Sequence, residues 1–307
     1  MSKPTHEFSI IVPTHNRPTQ LGECLDALAK LEYPRDRFGI VVVDDGSAAS
    51  LEPVVAPYRA AIDARLLRQT NAGPAAARNA GAAQARGRFI AFTDDDCRPR
   101  PDWLDRLREA LEVNPRALVG GPSVNVLTRN AYCTASQVIL DVVYTFFNGG
   151  PDGPRFFASN NFAMARQRFH ELGGFDVNFH LAACEDRDLC DRWRHHGLPL
   201  VYAPEAIVDH AHPLTLGKFY RQHYNYGRGA FIYHQLRKKR QSGRMRDDMG
   251  LHFRMPALLR EPMSKLSWSM AARVLALLSV WHFANAHGFF VEKCQVRKKP
   301  HLPAASG

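Results

Sequence analysis

Three consecutive carboxylates, Asp94-Asp95-Asp96, close an apolar run, Phe89-Ile90-Ala91-Phe92. Carboxylates this close repel one another, and burying them is costly unless something positive neutralises them. A hard divalent cation does so. Mg²⁺ and Mn²⁺ take oxygen ligands and commonly arrive with substrate phosphates. The chain therefore reads as built to hold a metal and a diphosphate at a strand end. The plainer alternative is a solvated acidic turn, since Cys97-Arg98-Pro99 and Pro101 follow at once. Two other places have residues suited to the same work. Gly73-Pro74 opens a helix with Arg78 one turn in, and free N–H groups beside an arginine suit a diphosphate. Glu185-Asp186 stands at the start of a second predicted helix, where acids also favour the helix dipole.

The elements that position these groups follow from the apolar pattern. Phe8 to Val12 and Ile40 to Val43 are apolar without alternation, as are Arg88 to Thr93 (past its first residue) and Ala117 to Val119. Such runs are strands buried on both faces. Leu21, Cys24, Leu25, Leu28 and Leu31 recur at helical spacing, as do Trp103, Leu104, Leu107 and Leu111. A weaker helix is predicted from Glu52 to Arg59, and another from Glu185 to His196 with Gly197 as its stop. Trp103 and Trp193 read as core. Strands of this kind alternating with helices give a mostly parallel α/β sheet covered on both faces. Ligands bind such sheets outside the carboxyl ends of the strands. The polar clusters Pro13-Thr14-His15-Asn16, Asp44-Asp45-Gly46-Ser47, Asn71-Ala72-Gly73 and the acidic triplet all fall there.

The chain has 307 residues, enough for a full core, with ordinary hydrophobic and charged content. No signal-peptide pattern opens it, because Phe8 to Val12 is too short for an h-region. Six cysteines without CxxC or zinc spacing read as reduced thiols of a cytoplasmic protein. Charge is uneven: residues 1–210 carry a net −3 and residues 211–307 a net +13. A basic C-terminal region of this kind suggests an anionic partner.

Six segments in order resemble glycosyltransferase family 2. They are Ser9-Ile-Ile-Val-Pro-Thr-His-Asn-Arg17, Val41-Val-Val-Asp-Asp-Gly-Ser47, Asn71-Ala-Gly-Pro-Ala-Ala-Ala-Arg-Asn-Ala-Gly81, Thr93-Asp-Asp-Asp96, Gly173-Gly-Phe-Asp176, and Glu185-Asp186 with Leu189, Arg192 and Gly197. The resemblance covers roughly residues 8–230. It implies a GT-A fold, Rossmann-like, and an inverting transfer from a nucleotide-diphosphate sugar, UDP in particular, to a hydroxyl of a glycan or lipid-linked acceptor. It also implies Mg²⁺ or Mn²⁺ as cofactor. By the same resemblance Pro13, Thr14, Asn16, Arg17, Asp45, Arg78, Asp94 and Asp95 bind the nucleotide-sugar. Asp45 would sit on the base or ribose, against the plainer reading of an Asp–Gly turn with Ser47 as a helix cap. Asp96 is implied as the metal ligand, with Asp94 nearer the ribose or a metal-bound water. Asp186 is implied as the base that takes the acceptor's proton, with Glu185 orienting the acceptor. His210, closing a predicted strand from Ala206, is implied near the metal or the leaving diphosphate. His212 follows as a lesser candidate, and a structural role is open to both. Asn160-Asn161, in a pattern ending at Arg166, suits either sugar hydroxyls or a turn.

The expected organisation is a catalytic domain over 1–212, with a nucleotide half to 120 and an acceptor half after it. A basic, mainly helical region then spans 213–307. Within it Arg237-Lys238-Lys239-Arg240 and Arg297-Lys298-Lys299 flank Val274 to Val291, which has no formally charged residue. Ser279, His282, Asn285 and His287 make that stretch poor as a membrane span, so an interfacial or partner-facing helix is preferred over a core helix. Basic flanks suit an anionic membrane surface, placing the protein peripherally at the inner face. No nucleic-acid partner is expected. Two other classes remain open: a nucleotidyltransferase, though no glycine-rich loop with the expected basic residues is present, and a non-catalytic nucleotide- or membrane-binding protein on a similar body.

Overall fold

A computed structural model of the chain describes residues 6–179 and 183–298. Strand β1 (His6–Thr14) leads to α1 (Pro18–Leu28), whose proline sits in the first turn, where its missing N–H costs nothing. Strand β2 (Phe38–Asp45) is buried at every position. The weak helix after it is α2 (Glu52–Val55) followed by a 3₁₀ turn to Ala60. Then come β3 (Asp63–Gln69), α3 (Pro74–Ala83), β4 (Gly87–Phe92), β5 (Cys97–Pro99), α4 (Trp103–Val113), β6 (Leu118–Gly120) and β7 (Ser123–Asn125). They are followed by α5 (Ala131–Asn148), β8 (Phe162–Ala165), α6 (Arg166–Glu171), α7 (Glu185–His195), β9 (Leu200–Tyr202) and β10 (Val208–His210). The C-terminal part is helical: α8 (Leu216–Arg240), α9 (Met245–Leu258), α10 (Arg260–Ser264) and α11 (Trp268–Lys298).

The main sheet has the order β3-β2-β1-β4-β8-β6-β9, and β5-β10-β7 form a small second sheet. Strands β1 to β4 are parallel, as expected, while β8 runs antiparallel to both β4 and β6. Direction was not legible there: Phe162-Ala-Met-Ala165 is short and apolar, and nothing local in such a run encodes its sense. On one face of the sheet α1 and α4 pack through Leu21, Leu25, Trp103 and Leu107; on the other α3, α6 and α7 pack through Ala77, Phe169, Leu189 and Trp193. Trp103 and Trp193 are fully buried, as expected of core residues. The Trp103 indole donates to Asn161 Oδ1 at 2.8 Å, and Asn161 Nδ2 donates to the carbonyls of Pro122 and Ala206. Asn161 is thus a structural clasp. Asn160 accepts from Ser123 Oγ at 2.9 Å.

A third core joins α5 to α8, α9 and α11 through Val142, Phe219, Val274 and Trp281. Residues 274–291 lie inside α11. Their inner face, including Leu277 and Leu278, belongs to this core, while Leu275 and Phe283 point outward. By length and composition alone Trp268–Val296 could cross a membrane. Helices α8 and α11 touch backbone to backbone at Gly227 and Gly288: a Cβ at Gly227 would collide with the carbonyl oxygen of Asn285. Gly227→Ala gains up to about 1 kcal/mol of helix propensity. Forcing two backbones apart costs about 1–3 kcal/mol. Urea denaturation should therefore show a net loss for Gly227→Ala and none for Gly217→Ala, whose added methyl meets nothing within 4 Å.

The basic run at 237–240 is not the continuous membrane-facing patch expected. Arg237 Nη1 lies 3.1 Å from Asp248 Oδ2 and its Nε 3.2 Å from Asp191 Oδ1. Arg240 Nη2 bridges Asp188 and Asp191 at 2.8 Å each. Helical periodicity turns these two arginines inward onto α7 and α9 and leaves Lys238 and Lys239 exposed. The second basic cluster, at 297–299, lies outside the residues whose side chains are described.

Candidate active site

The polar clusters read at the strand ends meet in space. Pro13 and Thr14 end β1, and Thr14 Oγ1 donates to Asp95 Oδ2 at 2.7 Å. Asn16 follows with φ 57°, a left-handed conformation that asparagine tolerates better than most residues. Its N–H donates to Ser47 Oγ and its Oδ1 accepts from Ala48 N–H, each at 2.8 Å, pinning the β1 loop to the β2 loop. Asp44 Oδ1 accepts from Ser47 N–H at 2.8 Å. Asp45 accepts from the N–H groups of Ala72 and Gly73 at 2.9 Å and from Gln69 Nε2 at 2.8 Å. That carboxylate therefore shapes the loop that launches α3, and Oδ2 still has capacity for another donor.

The triplet is neutralised by protein cations. Arg17 Nη1 lies 2.9 Å from both Asp95 Oδ1 and Asp96 Oδ2. Burial works against the Arg17 charge, and the two aspartates more than offset it. Asp95, a candidate nucleotide-sugar ligand, accepts from Thr14 at Oδ2 and from Arg17 at Oδ1; burial pushes its pKa up to about 6 even so. At Asp96 burial also opposes the charge, yet hydrogen bonds from two histidines hold it well below the ordinary carboxylate range. His210 Nε2 is 3.3 Å from Asp96 Oδ1, and His212 Nδ1 is 2.7 Å from Oδ2. The two imidazoles stack with an interplanar angle of 7°. One oxygen of Asp96 and one nitrogen of each histidine lie within 4.8 Å of one another, a donor set suited to a metal ion. His212, the lesser sequence candidate, stands as close as His210. Its signal was the His-x-His spacing, which puts both rings on one side of extended backbone.

Arg78 lies elsewhere than expected. It is buried, with Nη2 at 2.8 Å from Asp94 Oδ1 and Nη1 at 2.9 Å from Glu185 Oε1. It ties the triplet to the second acidic pair, and the two acids more than offset the cost of burying the guanidinium charge. Glu185 Oε2 accepts from Ala183 N–H at 2.7 Å. Each oxygen of Glu185, at the start of α7, thus has one partner, and Glu185 lines the same cavity as Asp186. Asp186 is different. Oδ1 accepts from Arg187 N–H at 2.7 Å and Oδ2 makes a long 3.4 Å contact with Ser159 N–H. Its enclosed setting, with Glu185 beside it, raises its pKa to about 7. A carboxylate that titrates there is matched to proton transfer near neutral pH. Cys184, just before it, is held at φ 67°, a conformation costly for a residue with a Cβ.

Asp186, Asn160, His210 and His212 border one cavity of about 700 Å³. The acidic pair and the two histidines that hold Asp96 thus line the same space. Carried by separate elements, α7, β10 and the loop after β4, they meet only because α7 and β10 both return to the carboxyl end of the sheet.

A family model described as Glycosyl transferase family 2 matches residues 9–173, just over half of the chain. The chain is 29% identical over 158 residues to the glycosyltransferase AglE of Haloferax volcanii, covering 51% of this chain and 46% of that protein. It is 32% identical over 222 residues to the hyaluronan synthase of Pasteurella multocida, covering 60% and 22%. It is 29% identical over 237 residues to the pre-mycofactocin glycosyltransferase of Mycobacterium tuberculosis, covering 75% and 48%. The chain therefore spans under half the length of these curated relatives. Among solved structures it shares the fold of a mannosyltransferase of Pyrobaculum calidifontis in complex with GDP-Man and Mn²⁺, with TM-score 0.65, 18% identity, and coverage of 95% and 86%. It also shares that of S. aureus TarS residues 1–349 in complex with UDP, with TM-score 0.57, 18% identity, and coverage of 96% and 93%.

Proposed function

Since the chain belongs to glycosyl transferase family 2, we propose that it transfers a sugar from a nucleotide-diphosphate sugar, UDP-linked in particular, to a hydroxyl of a glycan or lipid-linked acceptor. The observation that carries this reading is the shared cavity: Asp186 borders it together with His210 and His212, the two histidines that cluster with Asp96. A metal and a general base must both reach one reacting centre, and here one cavity serves them. Residues 1–212 form the proposed catalytic part and 213–307 a basic extension, helical at α8 to α11 among its described residues.

The residues fit a divalent ion, with Asp96, His210 and His212 to hold it; the imidazoles favour Mn²⁺ over Mg²⁺. When bound, such an ion supplies Lewis-acid stabilisation to the leaving diphosphate. The solved mannosyltransferase with GDP-Man and Mn²⁺ supports this reading, and TarS bound to UDP supports the donor class. Thr14, Asn16 and Arg17 hold the β1 loop at the nucleotide end, and Asp45 is the proposed contact to the base through the spare capacity of Oδ2. Asp94, about one-third exposed, faces the donor. Asp186 accepts the proton of the acceptor hydroxyl as that oxygen bonds to the anomeric carbon. The carbon–oxygen bond to the diphosphate breaks with its electron pair on the diphosphate. A single in-line displacement of this kind inverts the anomeric centre and needs no protein nucleophile.

A thermal-shift series with UDP, GDP and their sugars, with and without Mn²⁺, tests the reading, since a ligand of the native state alone raises its apparent stability. Stabilisation by a nucleotide sugar only when Mn²⁺ is present is the expected result. No shift with any of them leaves the non-catalytic binding reading standing. Attachment to an anionic membrane surface is a separate proposal and rests on the exposed Lys238 and Lys239. Reversing both to glutamate should reduce sedimentation with anionic vesicles at low salt, each charge being worth roughly 1 kcal/mol at such a surface. Reversing Arg237 or Arg240 instead should destabilise the fold.

A further inference from the structure

The cavity that holds Asp186 continues far beyond it. At about 700 Å³ it falls within the roughly 300–1,000 Å³ of small-molecule sites. Its remote walls are the C-terminal helices, α8 from Gln222 to His234 and α11 from Trp281 to Phe290. At 1.5 Å per residue those stretches measure about 18 Å and about 14 Å. The space is therefore a slot running along two packed helices. Away from Asp186 its walls include Leu140, Val143, Leu251 and Phe289. Tyr226, Met245, Met249 and Phe290 also border it, and each is exposed, by 39%, 47%, 44% and 59%. Large apolar side chains left open along a cleft mark a ligand groove.

Two details describe the ligand. His223 borders the slot, is 1% exposed, and has no hydrogen-bond partner on either ring nitrogen among the described residues. Burial keeps its ring neutral, with a pKa pushed down to about 3. A buried polar group without a partner is costly, so it fits a polar atom of something bound. Arg187, the lining arginine, is already paired with Asp248 at 3.0 Å. Among the described residues the slot offers no free arginine or lysine to an acidic ligand, and its length suits an extended chain better than a compact ring.

We propose that this slot binds the hydrocarbon chain of a lipid acceptor and presents the hydroxyl of its head group to Asp186. The inference rests on the transferase reading above and adds the acceptor class to it. The chain enters along α8 and α11, and the head lies between α5, the start of α7 and His223, whose orphaned ring nitrogens give the head a hydrogen-bond partner.

Calorimetry on the full chain with methyl, butyl, hexyl and octyl β-D-glucopyranoside, below their micelle concentrations, tests it at constant head group. Each methylene that enters the slot should improve affinity by up to about fourfold, so the octyl compound binds far more tightly than the methyl. Ala286→Phe and Ala230→Phe, which narrow the slot at two separate places, should each flatten the series; Ala286 is exposed, so that variant folds even if the other does not. Affinity independent of chain length overturns the proposal. So does octyl binding unchanged in both variants, which would put the chain on the outer face of α11. Phenyl β-D-glucopyranoside binding as tightly as the octyl compound also overturns it, in favour of a compact aromatic acceptor. The measurement uses neither donor nor metal, so it can fail while transferase activity stands, and the reverse.

Discussion

Asp186→Asn lowers the transfer rate by about 10²–10⁴, the usual cost of losing a general base, and leaves metal-dependent nucleotide affinity unchanged. The amide keeps the shape of the side chain and, through its oxygen, the contact with Arg187 N–H; it gives up the long contact with Ser159 N–H and cannot take a proton. In the wild type the rate should rise with pH and level off above about 7, where Asp186 is ionised; the variant should lose that limb. Stability gives a second readout with a definite sign. The folded-state pKa is raised from 3.8 to about 7, so the folded protein binds this proton more tightly than the unfolded chain. The resulting stabilisation is fully present below pH 3.8 and is lost as pH rises through about 7. Asp186→Asn should therefore be more stable than wild type above that pH, with the difference closing toward acid. Wild-type turnover in the variant would remove Asp186 from the chemistry, and loss of nucleotide binding would assign it to the donor side.

Asp96→Asn abolishes Mn²⁺-dependent UDP binding. The loss should exceed the roughly 10–100-fold cost of removing a residue that only supports a ligand. The asparagine variant is cleaner than alanine. From three adjacent carboxylates one would expect the apo protein to tolerate any deletion, since like charges repel. In the fold, however, Asp96 is the acceptor for Arg17, His210 and His212. Asparagine keeps an acceptor there, and Arg17 keeps Asp95. His212→Ala separates two roles for that ring: reduced Mn²⁺ affinity, measured by calorimetry, marks a ligand, and unchanged affinity marks a hydrogen-bond donor to Asp96 alone.

The sequence was enough for the parallel strands β1 to β4 and for polar clusters at their carboxyl ends, but not for the antiparallel β8. Apolar runs without alternation allow few structures besides buried parallel strands, and Asp45, Asp96 and Asp186 stood out because acids at strand and helix ends need a reason. Partners were not legible. Arg78 looked like a diphosphate ligand because it lies one turn into a helix beside the pocket, but its guanidinium is spent on Asp94 and on Glu185, more than a hundred positions away in the chain. Glu185 and Asp186 are adjacent, chemically alike and both line the cavity, yet Glu185 is ion-paired with Arg78 while Asp186 accepts only from backbone N–H groups. Arg237 and Arg240 read as part of a surface charge run until α7 and α9 supplied Asp191 and Asp248. Local spacing fixes which residue types reach a strand end or a helix face. Which of them stays free for chemistry depends on what the rest of the chain brings against them, and that was decided only by the packing of α7, α8 and α11 over the carboxyl end of the sheet.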